Sequence, residues 1–189
     1  KGQGLEGPLG DAIDDIDFIK MDTQGCELPI LQGSTVTLER TVGMQIEVAF
    51  SPIYQDQPLF SDVDNFVRAH GFELFDLKPQ TWMRSDSGRG RGQLVFADAL
   101  YLRSPEQMAS LAGLTPRKLI RAMCIYLAHE RTDIARVLLR EASGRIDLEA
   151  EQCELVLAQI GALERRASLQ DLLRLRRLRH RIAKIMARL

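Results

Sequence analysis

Cysteine, tryptophan and long apolar runs are scarce in this chain. Its three cysteines, Cys26, Cys124 and Cys153, stand far apart in 189 residues. An odd number at these spacings fits neither a disulfide framework nor a zinc site. A reduced, cytoplasmic setting is the simplest expectation. No apolar run approaches the roughly 20 residues that span a bilayer. No basic stretch followed by an apolar one opens the sequence, so neither a transmembrane segment nor secretion is expected. Aromatics make up 6%, with one tryptophan, so the core must be mainly aliphatic. No Ser-His-Asp order, zinc spacing or Walker loop is present. What remains, 45% hydrophobic and 27% charged, is the composition of a globular protein and excludes collagen or a disordered tail.

The net charge of −1 hides an asymmetry. Residues 1–103 carry nine Lys/Arg against sixteen Asp/Glu, and 104–189 carry sixteen against ten. Such a split suggests two modules with different surfaces. The expected division is a glycine-rich loop over 1–12, an α/β unit over 13–104 and a helical unit over 113–189.

Local pattern fills in these units. Ile16 to Asp22 reads as a short strand ending on a carboxylate, and Thr23-Gln24-Gly25 as a turn. The first part of Cys26–Arg40 reads as a helix, with Pro29 near its first turn and Gly33 at its end. Val42 to Phe50 is a second strand. Ser61 is the expected N-cap of a helix that buries Val63, Phe66 and Val67 and stops at Gly71. Phe72–Leu77, closed by Pro79, and Gln93–Arg103 are two further strands. No helix separates these two, so they can form an antiparallel hairpin around a loop at 83–92. Strand-helix alternation before that point predicts a mostly parallel sheet. From Leu114 the period becomes helical. Thr115 caps a helix to about Arg131, with Pro116 in its first turn. A second helix runs from Asp133 to Ala142 with Ile134, Val137 and Leu138 buried, and Gly144 ends it. A third is expected from Asp147 to about Gly161, and a fourth from about Leu163 to Leu189. The first two resemble a tetratricopeptide-like pair.

The stretch Asp17-Phe18-Ile19-Lys20-Met21-Asp22-Thr23-Gln24-Gly25-Cys26-Glu27-Leu28-Pro29-Ile30-Leu31-Gln32-Gly33 resembles the FkbM family of S-adenosylmethionine-dependent methyltransferases. It follows the family pattern D-[FL]-[IL]-K-[IM]-D-x-[QE]-G-x-E-x-x-[IV]-L-x-G. Ile46-Glu47-Val48, Tyr54, Phe60-Ser61-Asp62, Gly71–Leu77 and Asp98–Leu102 extend the resemblance over about 14–103. It implies a Rossmann-like methyltransferase sheet, represented by its fourth to seventh strands and followed by an all-α tail. On that reading the chain is a fragment without the glycine-rich cofactor loop. Gly2-Gln3-Gly4 has no strand before it and no helix after it, and is a poor substitute.

In open parallel sheets the ligand lies beyond the carboxyl ends of the strands, which is where Asp22 and Glu47 fall. The resemblance implies S-adenosylmethionine as cofactor and a small-molecule or glycan hydroxyl as acceptor. Asp22 is the candidate catalytic base, with Glu47 beside it; otherwise Asp22 caps the following turn. Asp22, Gln24 and Gly25 are candidate cofactor contacts. Glu27, Tyr54 and Trp82 are candidate substrate contacts, with Trp82 and Arg84 flanking a possible lid. Glu27 has an equal alternative, bonding back to the loop that carries Asp22. Glu47 could join Asp22 in holding a divalent cation, but the expected reading is an acid bonded to Lys20 or backbone, and no metal is expected. His70 should cap a helix C-terminus, and the cysteines should be core residues.

The last helix carries Leu175, Leu178, Ile182, Ile185 and Leu189 among basic residues. Packing on other helices or on a second copy is its expected use, ahead of a polyanionic partner. Nucleic acid is not expected, because no recognition fold is present. A strand left with an open edge predicts a homo-oligomer or a missing N-terminal half. The alternative to an enzyme is a binding module that recruits a partner through the basic tail.

Overall fold

The computed structural model describes residues 15–84, 90–142, 146 and 153–168. Expectations about 1–14, the middle of the 83–92 loop, Gly144, Asp147 and the basic residues past 168 lie outside the described residues.

Among the described residues four strands form one mixed sheet in the order β1-β2-β4-β3. β1 (Phe18–Met21) and β2 (Gly43–Ala49) are parallel, as a strand-helix-strand alternation requires. β3 (Glu73–Trp82) and β4 (Gln93–Leu102) form the antiparallel hairpin expected from the missing helix between them. β2 and β4 are antiparallel as well, so the expected mostly parallel sheet is mostly antiparallel among the described residues. The sequence could not tell that β4 inserts beside β2, which leaves β3 at the edge. That placement explains a departure from the expected strand end. Pro79 does not close β3 but pairs with Ala97 inside it, and an edge strand tolerates a proline.

Two clusters of apolar side chains lie on opposite faces of the sheet. On one, Ile19, Met21, Met44, Ile46, Val48, Ala97, Ala99 and Tyr101 pack with Leu31, Leu38, Val63 and Val67. Those last four come from α1 (Glu27–Gln32), α2 (Thr35–Arg40) and α3 (Phe60–Ala69). The second half of Cys26–Arg40 is therefore helical too, with Gly33 a brief break between α1 and α2. α3 begins one residue before the expected cap. Leu59 is its N-cap, and Asp62 accepts the Leu59 N–H at 2.8 Å. Leucine has no acceptor to return the bond, so this is half of a capping box. Gly71, at φ +84°, stops α3 as expected.

The other cluster joins Val42, Leu100 and Leu102 to α4 (Pro105–Ala109), α5 (Pro116–Ala128), α6 (Thr132–Ala142) and a helix over 153–168. Thr115 caps α5 by accepting the Lys118 N–H at 3.2 Å, with Pro116 at its start. The buried face of α6 is Ala135, Leu138, Leu139 and Ala142; of the expected residues Leu138 lies on it, Ile134 packs partly buried against the core and Val137 is half-buried. Alanines carry that face, so apolar bulk misplaced it. Gly161 lies inside the last described helix rather than ending it.

Two buried cations tie the helices to the sheet. Lys118 is 0% exposed and lies between Asp15 and Asp17, at 2.6 and 2.8 Å. Arg121 bonds the same two carboxylates, with Nε 3.0 Å from Asp17. The Arg103 guanidinium meets carbonyls instead of acids: Leu38 at 2.7 Å, Thr41 at 2.9 Å and Gly71 at 3.4 Å. It caps the C-terminal end of α2, where the helix dipole favours a cation. Phe72 lies beneath it at 4.4 Å, and burial lowers its pKa from the usual arginine value.

Candidate functional site

The turn after β1 sets the site. Gln24 (φ +54°) and Gly25 (φ +101°) both lie in the left-handed region. Glycine adopts it freely, but glutamine does so at a cost. The turn persists because Glu27, 5% exposed, grips it from the start of α1. One Glu27 oxygen accepts the Thr23 N–H at 2.7 Å and the Thr23 hydroxyl at 2.9 Å; the other accepts the Gly25 N–H at 2.9 Å. Both oxygens are occupied within the loop. A Cβ on Gly25 would also sit 3.3 Å from Gln57. Gln57 in turn accepts the N–H groups of Ile53 and Tyr54, at 2.9 and 3.2 Å.

This clamp leaves Asp22 exposed, with no side-chain hydrogen bond or ion pair among the described residues. It does not cap the turn; Glu27 does that. Strand register then places the other acids. Met21 pairs with Ile46, so Asp22 falls beside Glu47, and Glu47 pairs with Asp98 on β4. Lys78 pairs with Asp98 from β3. Asp22, Glu47, Asp98 and Lys78 thus form a row across four adjacent strands. Glu47 does not bond Lys20, which forms no ion pair among the described residues, so the expected partner is absent. Burial raises the Glu47 pKa first, and the charges of Asp22, Glu27 and Asp98 raise it further. Sequence reasoning missed Asp98 as a site residue, because only the insertion of β4 beside β2 brings it to Glu47.

Of the other candidates, Tyr54 joins this site. Its hydroxyl, on a side chain 46% exposed, donates to Gln24 Oε1 at 3.1 Å. Trp82 ends β3 at 52% exposure, edge-on to Phe96 at 5.9 Å. It lies at the same end of the sheet as Asp22 but two strands further along than Glu47. Arg84 donates to Gln93 at 2.7 Å. His70 is the C-cap of α3, with Nδ1 2.8 Å from the Phe66 carbonyl. Cys26 and Cys124 are exposed, against the expectation of core residues. Cys124 lies on the outer side of α5, between the buried Met123 and Tyr126. Among the described residues no group of three or more His, Cys, Asp or Glu is placed to hold a metal ion.

A mixed sheet with helices on it, and acids gathered at the carboxyl end of its parallel pair, is an α/β arrangement. Residues 9–74 match the family model of the methyltransferase FkbM domain. The match spans roughly a third of the chain and contains Asp22, Gln24, Gly25, Glu27, Glu47 and Tyr54. β4 and most of β3 lie beyond it. No curated protein and no solved structure matches the chain. No described helix is long and apolar enough to cross a membrane.

Proposed function

We propose that this chain serves a methyltransferase acting through S-adenosylmethionine on an oxygen, a hydroxyl of a sugar or another natural product. The observation that carries the reading is the unpartnered Asp22 carboxylate, held out at the end of β1 by the Glu27 clamp inside the stretch that matches the FkbM domain.

The residues present fit one end of that cofactor. Carboxylates at Asp22 and Glu47 suit a sulfonium cation, while the turn between β1 and α1 holds one glycine rather than a glycine-rich run. When bound, the cofactor supplies the methyl group. Asp22 accepts the proton of the acceptor hydroxyl, which is a poor nucleophile until that proton is drawn away. Glu47 lies beside Asp22, and burial with the neighbouring acids raises the Glu47 pKa. Gln24, fixed by Tyr54, and Gly25 line the approach to the cofactor. We assign Glu27 to positioning, because a carboxylate with three internal hydrogen bonds has little left for substrate. Tyr54 flanks the acceptor. Alignment of the two reactants supplies much of the rate.

A Rossmann-like sheet fits the parallel β1–β2 pair with helices crossing between its strands. β1 has no partner on its outer side among the described residues. A further stretch of chain or a second copy pairs there on this reading. Isothermal titration of the full chain with S-adenosylmethionine tests the cofactor assignment, and transfer of a labelled methyl group to hydroxylated acceptors tests the reaction.

A further inference from the structure

A second feature lies beside the acidic row. An open cleft of about 320 Å³ separates the sheet from the turn between α5 and α6. That is the lower end of the range for small-molecule sites, about 300–1,000 Å³. Gln45, Lys78 and Asp98 form its polar floor, with Leu100 as an apolar patch, and His129 and Arg131 form the wall.

The polar groups of the floor are free. Arg131 is engaged by Asp76 at 2.8 Å. Gln45, Lys78 and Asp98 make no side-chain hydrogen bond or ion pair among the described residues. Lys78 and Asp98 are cross-strand partners, yet they form no ion pair with each other. The cleft therefore offers a free cationic donor, a free anionic acceptor and an amide that is both, on adjacent strands about 4.8 Å apart. A hydroxyl both donates and accepts, so it can satisfy each of them. An anionic ligand would set its charge beside Asp98 and Glu130, which both line the cleft, and like charges at such range repel. His129 stacks on Phe18 at 5.0 Å, which fixes the ring in the wall. Burial, with the charges of Lys78 and Arg131, lowers its pKa and so disfavours its charged form.

We propose that this cleft is a subsite for a neutral polyhydroxylated ligand, a sugar ring whose hydroxyls bond Lys78, Asp98 and Gln45. From Asp98 to Asp22 is two strand spacings, about 10 Å, so one extended ligand reaches both. As the acceptor's subsite the proposal rests on the methyl-transfer reading; sugar binding itself does not. The helical tail then has a role in recognition, because it supplies the wall.

Saturation-transfer NMR on the full chain without S-adenosylmethionine is the test. The probes are the methyl glycosides of glucose, mannose and galactose, with glucose 1-phosphate as the anionic control. At least one glycoside should show transfer and glucose 1-phosphate should show none. Lys78→Met and Asp98→Asn should each weaken binding about tenfold, the effect of one lost charge-assisted hydrogen bond. Lys78 is exposed, so its variant decides the matter if the Asp98 variant fails to fold. Absence of transfer from every glycoside overturns the proposal. So does binding unchanged in the variants, or binding of glucose 1-phosphate as tight as that of the glycosides. Glycoside binding without methyl transfer would sink the catalytic reading alone; methyl transfer without glycoside binding would sink this one alone.

Discussion

Glu27 holds Thr23 twice, taking its N–H at 2.7 Å and its hydroxyl at 2.9 Å through one carboxylate oxygen. This contact, four residues along the chain, fixes where Asp22 points. A buried carboxylate that satisfies three donors stabilises a turn in which Gln24 would otherwise be strained.

Glu27→Ala should therefore cost about 2–4 kcal/mol, since each hydrogen bond to a charged group contributes about 1.5–3 kcal/mol and the three share one acceptor group. At this chain length that is a fall in Tm of about 5–15 °C. Glu27→Gln keeps the shape but loses an acceptor and should fall between. Thermal melts of the three proteins check the order; equal melting of wild type and Glu27→Ala would remove the clamp from the account.

Gly25→Ala meets two obstacles, a φ of +101° and a contact at 3.3 Å with Gln57. The cost should be about 1–3 kcal/mol, and it should pass to Tyr54 through Gln57. Chemical denaturation gives the cost, and the quenching of Tyr54 ring signals in NMR reports the displacement.

Lys118 is buried against Asp15 and Asp17. Removing both acids strands its charge, and Asp15→Asn with Asp17→Asn should cost about 3–5 kcal/mol, the usual penalty for breaking a buried pair. Replacing all three by apolar residues should recover most of that loss. Urea unfolding of the two sets decides.

The pH dependence has two opposing parts. The Glu47 pKa is raised in the folded state, by burial and then by Asp22, Glu27 and Asp98. A raised carboxylate binds its proton more tightly when folded, so its contribution is complete below the ordinary glutamate range. It is lost as pH rises through the raised value. Asp15 runs the other way. Burial pushes its pKa up, but the hydrogen bond from Lys118 and the charges of Lys118, Arg121 and Arg40 outweigh it, and the net shift is down. Its contribution is present above the ordinary aspartate range and is lost as pH falls through the lowered value. Glu47→Gln should thus gain stability over wild type as pH rises from mildly acidic to neutral. Denaturant midpoints across that window test the sign, and a gain confined to lower pH would reverse it.

Local signals in the sequence were enough for β1, β2, the α3 stop at Gly71 and the Thr115 cap. Each depends on residues within one or two turns of itself. What the sequence withheld depends on pairing across the fold. Pro79 could continue β3 only because β4 inserts beside β2 and makes β3 an edge. Asp98 joins Glu47 for the same reason. Lys118 is buried only because Asp15 and Asp17, about a hundred positions earlier, come to meet it, and no local pattern on α5 signals that. The α6 face was misjudged because small alanines, not the bulky Ile134 and Val137, are the residues that let the helix approach.

The most direct measurement is turnover of a labelled methyl group from S-adenosylmethionine by the full chain, compared with Asp22→Asn. The account predicts that the variant loses about 10²–10⁴-fold in kcat, the usual worth of a general base, while its melting temperature changes little. Equal turnover in the two proteins would contradict it.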